Sequence, residues 1–152
     1  MFFESDEIYT GPPITDAMIR AAETTLGYTL PADYVRLLFE RNGGRPIRRR
    51  LATAFPTSWA DDHIEIASIK GVGGMWGIDS ESGLGSAAMI AEWDYPSIGI
   101  VLCDMPSGGH DAVMLDYTDR NYRAQPCVAY VDEDRVAREI APTFTDFISR
   151  LY

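Results

Sequence analysis

Histidine and cysteine are scarce in this sequence, with two residues of each. Two histidines leave few options for histidine-based catalysis. Cys103 and Cys127 lie on apolar stretches without an evident activating base, so we interpret them as inert reduced thiols, with a disulfide as the alternative. No apolar run approaches the roughly 18 residues of a membrane span, and the acidic start MFFESDEIYT lacks a signal-peptide pattern. We therefore expect a cytoplasmic protein.

Positive charge is also scarce. The sequence has 13 Lys and Arg residues but 23 Asp and Glu residues, which gives a formal net charge of −10. This balance argues against binding to nucleic acid or to an anionic membrane. It favours a basic partner, or reflects solubility alone. The exception is the run RPIRRR at residues 45–50. We interpret its arginines as ion-pair partners for the chain's own acids or as part of an interface.

The length of 152 residues predicts one domain spanning residues 1–152. Ile14, Met18, Ala22 and Leu26 recur every four residues, which predicts a first helix with Thr15 as its N-cap and Gly27 as a left-handed cap. A second helix is predicted to open with Pro31 at its first position. We expect Asn42, Gly43 and Gly44 to end that helix in a left-handed turn.

The rest of the chain alternates in ways that predict strands. Four segments predict strands: HIEIASI (63–69), PSIGIVLCD (96–104), HDAVMLDY (110–117) and PCVAYVD (126–132). The middle two are predicted to pair as a hairpin. The segment RVAREIAP predicts a short strand or turn. Residues 84–92 predict a short helix, and TFTDFISRLY predicts a closing one. The predicted class is therefore α+β, with an N-terminal helix pair, a central and mostly antiparallel sheet, and a C-terminal helix.

No motif predicts an enzyme or a bound cofactor. The segment GVGG lacks the lysine of a phosphate-binding loop, and PSGG lacks the pattern around a nucleophilic serine. Asp104, His110 and Asp111 could form a metal site or simply belong to a hairpin with a polar turn. Neighbours on a strand point to opposite faces, so His110 and Asp111 cannot easily share an ion. We interpret this segment as the hairpin.

Four segments, in order, carry a resemblance to a known family. They are AETTLGYTLPADYVRLLFERNGG (22–44), WGID (76–79), IGIVLCDMPSGGHDAVMLDY (98–117) and IAPTFTDFISRL (140–151). The chain resembles the SUKH superfamily, in the branch named for the yeast cell-wall-assembly regulators Smi and Knr, over roughly residues 14–151. The order and spacing of the segments carry this resemblance more than any single motif.

The resemblance implies a binding domain. Bacterial members are largely immunity proteins of polymorphic toxin systems, which neutralise a cognate toxin, often a nuclease or deaminase, by binding it. Eukaryotic relatives act as interaction hubs, and the family has no established catalytic residues. Our first hypothesis is an acidic immunity protein that binds a basic, nuclease-type toxin. The alternative is a regulatory or scaffolding module, and a homodimer through exposed edge strands remains open.

Candidate contact residues are acids and aromatic side chains expected at the surface. They are Trp59, Asp61, Asp62, Glu92, Trp93, Asp94 and Tyr95. The segment EWDYP is favoured because two aromatic residues flanked by acids precede a buried strand. The alternative is that Trp93 and Tyr95 cover the edge of the core.

Overall fold

The computed structural model describes residues 1–119 and 125–152. Four helices lie in this part of the chain: α1 (Asp16–Leu26), α2 (Ala32–Glu40), α3 (Ser86–Trp93) and α4 (Phe144–Ser149). Eight strands lie there as well: β1 (Arg50–Ala52), β2 (His63–Glu65), β3 (Ser68–Ile69), β4 (Gly99–Val101), β5 (Cys103–Asp104), β6 (Ala112–Asp116), β7 (Cys127–Val131) and β8 (Ala137–Ala141). In the same residues, no helix has both the length and the apolar character that crossing a bilayer requires.

Helix α1 begins and ends at the predicted residues. The Thr15 hydroxyl accepts a hydrogen bond from the Met18 amide at 3.2 Å. Gly27 adopts φ 81° and its amide donates to the Glu23 carbonyl at 2.8 Å. Only glycine takes this left-handed conformation without a Cβ penalty, so the helix ends there.

Helix α2 ends earlier than the sequence indicated. Gly43 has the predicted left-handed conformation, with φ 81°, but it lies beyond the end of the helix, and the Asn42–Gly43–Gly44 segment does not cap it. The helix stops at Glu40, with Arg41 as an extended C-cap. The buried side chain of Asn42 donates to the carbonyls of Pro12 at 2.6 Å and Val72 at 2.7 Å, and accepts from the Val72 amide at 2.8 Å. The segment therefore joins two distant loops. Pro31 is the N-cap of α2 and precedes the first helical residue.

The main sheet has four antiparallel strands in the order β4-β6-β7-β8, and β1-β2 and β3-β5 form two further antiparallel pairs. The predicted strand at 96–104 divides at Leu102, because β4 pairs with β6 whereas β5 pairs with β3. The α+β class, the N-terminal helix pair, the antiparallel sheet and the C-terminal helix are confirmed.

The central strand β6 buries side chains on both faces of the sheet. Val113 and Leu115 belong to a large cluster that also contains residues of α1, α2 and α4. Ala112 and Met114 alternate with them and belong to a smaller cluster that contains Met89 of α3. Because successive side chains of a strand point to opposite faces, α3 lies across the sheet from the other helices.

Candidate partner-binding face

The loop between β1 and β2 presents an exposed tryptophan. Thr57 organises the tip, because its side-chain oxygen accepts from the Trp59 amide at 3.2 Å and the Ala60 amide at 3.1 Å. The neighbouring Ser58 amide donates to a carboxylate oxygen of Asp132 at 2.8 Å, which ties the loop to the turn between β7 and β8. Trp59 is 52% exposed on this anchored loop.

Helix α3 ends at the second tryptophan of the candidate set. Asp94 forms the C-cap with φ 58°, a left-handed conformation that is uncommon outside glycine. The ring of Trp93 lies directly over Gly109 in the turn between β5 and β6. A Cβ added to Gly109 would stand 2.3 Å from Cε2 of Trp93, so glycine is required for this contact.

Arg135 joins the segments that carry this face. Its Nε donates to the Trp93 carbonyl at 2.9 Å, and Nη1 donates to the carbonyls of His110 at 2.7 Å and Asp132 at 3.0 Å. Its guanidinium also lies 5.0 Å from the centroid of the Tyr95 ring. One cation thus holds the end of α3, the β5–β6 turn and the β7–β8 turn together.

The two tryptophans meet at His110. The imidazole centroid lies 6.2 Å from the ring of Trp59 and 5.2 Å from that of Trp93. His110 is exposed, and Trp93 is partly buried. We call Trp59, Trp93 and His110 the Trp–His face. The structure therefore brings together the two tryptophans that the sequence placed in separate segments.

The predicted acids lie at the surface beside these rings in the chain. Asp61, Asp62, Glu92 and Asp94 are all exposed. Asp62 also contacts the next residue, with its Oδ1 at 2.9 Å from Nδ1 of His63. The face thus combines aromatic rings with neighbouring negative charge.

Tyr95 does not meet the expectation of an exposed aromatic side chain. It is 4% exposed, and its hydroxyl donates to the carbonyls of Gly109 and Asp111. Burial raises the pKa of Tyr95 well above its usual range. Tyr95 therefore covers the edge of the core, as the alternative interpretation states. Its side chain supports the turn beneath the Trp–His face.

Asp104, His110 and Asp111 have separate partners. Asp104 pairs with Lys70 at 2.9 Å. Asp111 is buried, and its two carboxylate oxygens accept from Ser107 at 2.6 Å and Tyr130 at 2.7 Å. Burial raises the pKa of the Asp111 carboxyl, and these two hydrogen bonds oppose the shift. Within the described part of the chain, no three His, Cys, Asp or Glu side chains are arranged to hold a metal ion.

The arginine-rich run acts partly within the chain. Arg45 pairs with Asp6 and Arg49 with Glu4, each at 3.5 Å. Arg41, just before the run, donates at 2.6 Å to the Glu4 carbonyl and also to that of Asp6. These contacts hold the N-terminal segment and confirm the ion-pair interpretation for Arg45 and Arg49.

Three residues of this region were not predicted as part of a binding face. His110 and Gly109 were interpreted only as part of a hairpin turn, with a metal site as the alternative for His110, and Arg135 only as part of a short strand or turn. The paired glycines before His110 were a usable signal, because they indicate a tight turn or a close approach of another group. Arg135 gave no such signal, since its three carbonyl partners lie at the end of α3 and in two different turns.

Comparison of the sequence with known protein families gives a match. The sequence matches the SMI1 / KNR4 family (SUKH-1) over residues 13–150. Comparison with curated proteins and with solved structures gave no match. Because the family match spans nearly the whole chain, the protein belongs to the SMI1 / KNR4 family (SUKH-1).

Proposed function

We propose that this protein is a non-catalytic immunity protein of a polymorphic toxin system. It neutralises a basic, nuclease-type toxin domain by binding it through the Trp–His face. Family membership supports this function, since bacterial members of the family largely act as immunity proteins. The net charge of −10 supports a basic partner.

The convergence of Trp59 and Trp93 on His110 carries this proposal. Tryptophan supplies a disproportionate share of binding energy at protein interfaces, and such anchors cluster near the centre of the contact. Acids next to both tryptophans would steer a cationic partner toward the rings and speed encounter. An anchored loop also loses little conformational entropy on binding, which favours affinity.

The neighbouring side chains hold the face in a fixed shape. Asp111 accepts hydrogen bonds from Ser107 and Tyr130, and Arg135 donates to three backbone carbonyls. A face fixed in this way is preorganised for binding a partner.

Affinity capture from the protein's own cells tests the function. The wild type should recover one basic toxin domain, and adding the purified protein should abolish that domain's activity at a one-to-one ratio. Trp59→Ala should reduce capture at least tenfold. Phe39→Ala is the matched control, because Phe39 is 51% exposed and lies on α2, outside the face. Recovery of several unrelated housekeeping proteins by the wild type would favour the scaffold function instead.

A further inference from the structure

A cleft of about 240 Å³ opens beside Trp59, next to the Trp–His face. Its lining residues are Trp59, Ile64, Glu65, Pro106, Ser107 and Asp111. Sites for drug-sized molecules usually measure roughly 300–1,000 Å³. The smaller volume suits a single side chain of a bound protein better than a cofactor.

The walls of the cleft are largely apolar. Trp59 contributes a ring that is half exposed, and Ile64 and Pro106 contribute aliphatic surface. Such walls favour an occupant with an aliphatic stem. The face of an indole ring additionally attracts cations, more strongly than the rings of tyrosine or phenylalanine.

The polar groups of the cleft select positive charge. Glu65 is exposed, and in the described residues no ion pair involves it. Asp111 is 4% exposed and receives one hydrogen bond on each carboxylate oxygen. A carboxylate offers about four acceptor positions, so Asp111 retains capacity for another donor. No Lys or Arg of the described chain lines the cleft.

We propose that this cleft receives an arginine side chain of the protein partner. The guanidinium stacks on Trp59 and directs its charge toward Glu65 and Asp111. Arginine fits better than lysine, because its planar group stacks on aromatic rings and is less strongly hydrated. The identity of the partner rests on the proposed function, whereas the chemistry of the cleft can be measured without a toxin.

The test uses acetyl-arginine-amide as a probe on the full-length, ¹⁵N-labelled protein. Titration should shift the Trp59 indole signal and the Ser107 amide signal saturably, with a Kd on the order of millimolar for so small a ligand. Acetyl-citrulline-amide has nearly the same shape without the charge and should shift these signals at least fivefold less. Glu65→Gln should weaken arginine binding at least threefold, whereas Glu40→Gln on α2 should not.

Two results would overturn the proposal directly: absence of shifts at these signals, or equal shifts with the citrulline compound. The arginine-cleft proposal and the proposed immunity function can be overturned independently of each other. A captured toxin whose affinity is unchanged by Glu65→Gln would overturn the arginine cleft and leave the immunity function standing. Selective arginine binding without a captured toxin would support the cleft and count against the immunity function.

Discussion

The Nζ atom of Lys70 lies 2.9 Å from Oδ1 of Asp104, and the lysine side chain is fully buried. Lys70 is the only lysine in the sequence. The same ammonium donates to the Leu84 carbonyl at 2.7 Å and the Trp76 carbonyl at 3.3 Å. The pair therefore fixes the loop between β3 and α3 against strand β5.

Lys70→Met should lower the free energy of unfolding by about 3–5 kcal/mol, because it leaves the Asp104 carboxylate buried without its cation. Urea denaturation measures the change. The double variant Lys70→Met/Asp104→Asn should be more stable than Lys70→Met alone, since no uncompensated charge remains. Wild-type stability in the single variant would contradict this account of the pair.

Gly109→Ala should displace Trp93, because the new Cβ would overlap its ring. ¹⁹F NMR of protein labelled with fluorotryptophan should show a shifted or broadened Trp93 signal and an unchanged Trp76 signal. Gly108→Ala is the matched control, since Gly108 also has a positive φ, 76°, but open space around its Cβ position. An effect of Gly108→Ala as large as that of Gly109→Ala would assign the change to backbone strain instead.

The sequence predicted the elements whose signals are local. Thr15 and Gly27 delimit α1 through contacts three or four residues away, and apolar or alternating runs mark the strand regions. The division of the run at 96–104 depends on its two strand partners and was not predicted. Asn42 was misinterpreted because a helix-stop pattern is also local, whereas its side-chain partners lie 30 residues away on either side. The same residues satisfy both interpretations until the fold is known.

The candidate face was only partly accessible from the sequence. Composition and flanking acids pointed to Trp59 and Trp93, but burial of Tyr95 depends on hydrogen bonds to a turn 14 to 16 residues further on. Arg135 reaches the Trp93 carbonyl across 42 residues. Contacts of that separation are set by strand pairing and loop docking, which no short pattern encodes.

Cys127 should react slowly with iodoacetamide in the native protein. Burial raises the pKa of its thiol to about 12, with Asp116 and Glu139 adding to the shift, so little thiolate exists at pH 8. Alkylation followed by mass spectrometry should proceed at least ~10-fold more slowly than in urea, where the thiol returns to its usual pKa of about 8.5. Native and denatured rates that coincide would refute the environment described for Cys127.

The Asp111 carboxyl should make folding stability fall as pH rises. Its pKa is raised above the ordinary 3.8, mainly by burial, so the folded state holds the proton more tightly than the unfolded state does. The stabilisation is full below pH 3.8 and is lost as pH rises through the folded pKa. Urea denaturation from pH 3 to pH 7 should therefore show the unfolding free energy of wild type, relative to Asp111→Asn, decreasing with pH.

Asp134 provides a control of opposite sign for the pH experiment. Hydrogen bonds from Arg138 lower the pKa of this carboxyl below 3.8. Its contribution is therefore present above pH 3.8 and is lost as pH falls through the folded pKa. Relative to Asp134→Asn, wild-type stability should rise with pH in this lower range. If the difference in unfolding free energy between wild type and Asp111→Asn did not change with pH, the environment of Asp111 would not perturb the pKa of its carboxyl.

Reversing the charge beside Trp93 should slow association with the toxin. Glu92→Lys/Asp94→Lys removes negative potential next to the ring, and electrostatic steering acts mainly on the association rate. We expect the association rate constant at low salt to fall by about tenfold or more, and the difference to shrink at high salt because exposed charges are screened. Surface plasmon resonance over a series of salt concentrations separates the association rate from the dissociation rate.

The double variant Glu7→Lys/Glu40→Lys is the matched control. It changes the net charge by the same amount but lies in the groove beside α2, so it should slow association less. Equal slowing by both pairs would assign the effect to net charge, and an unchanged rate in Glu92→Lys/Asp94→Lys would place the toxin elsewhere on the molecule.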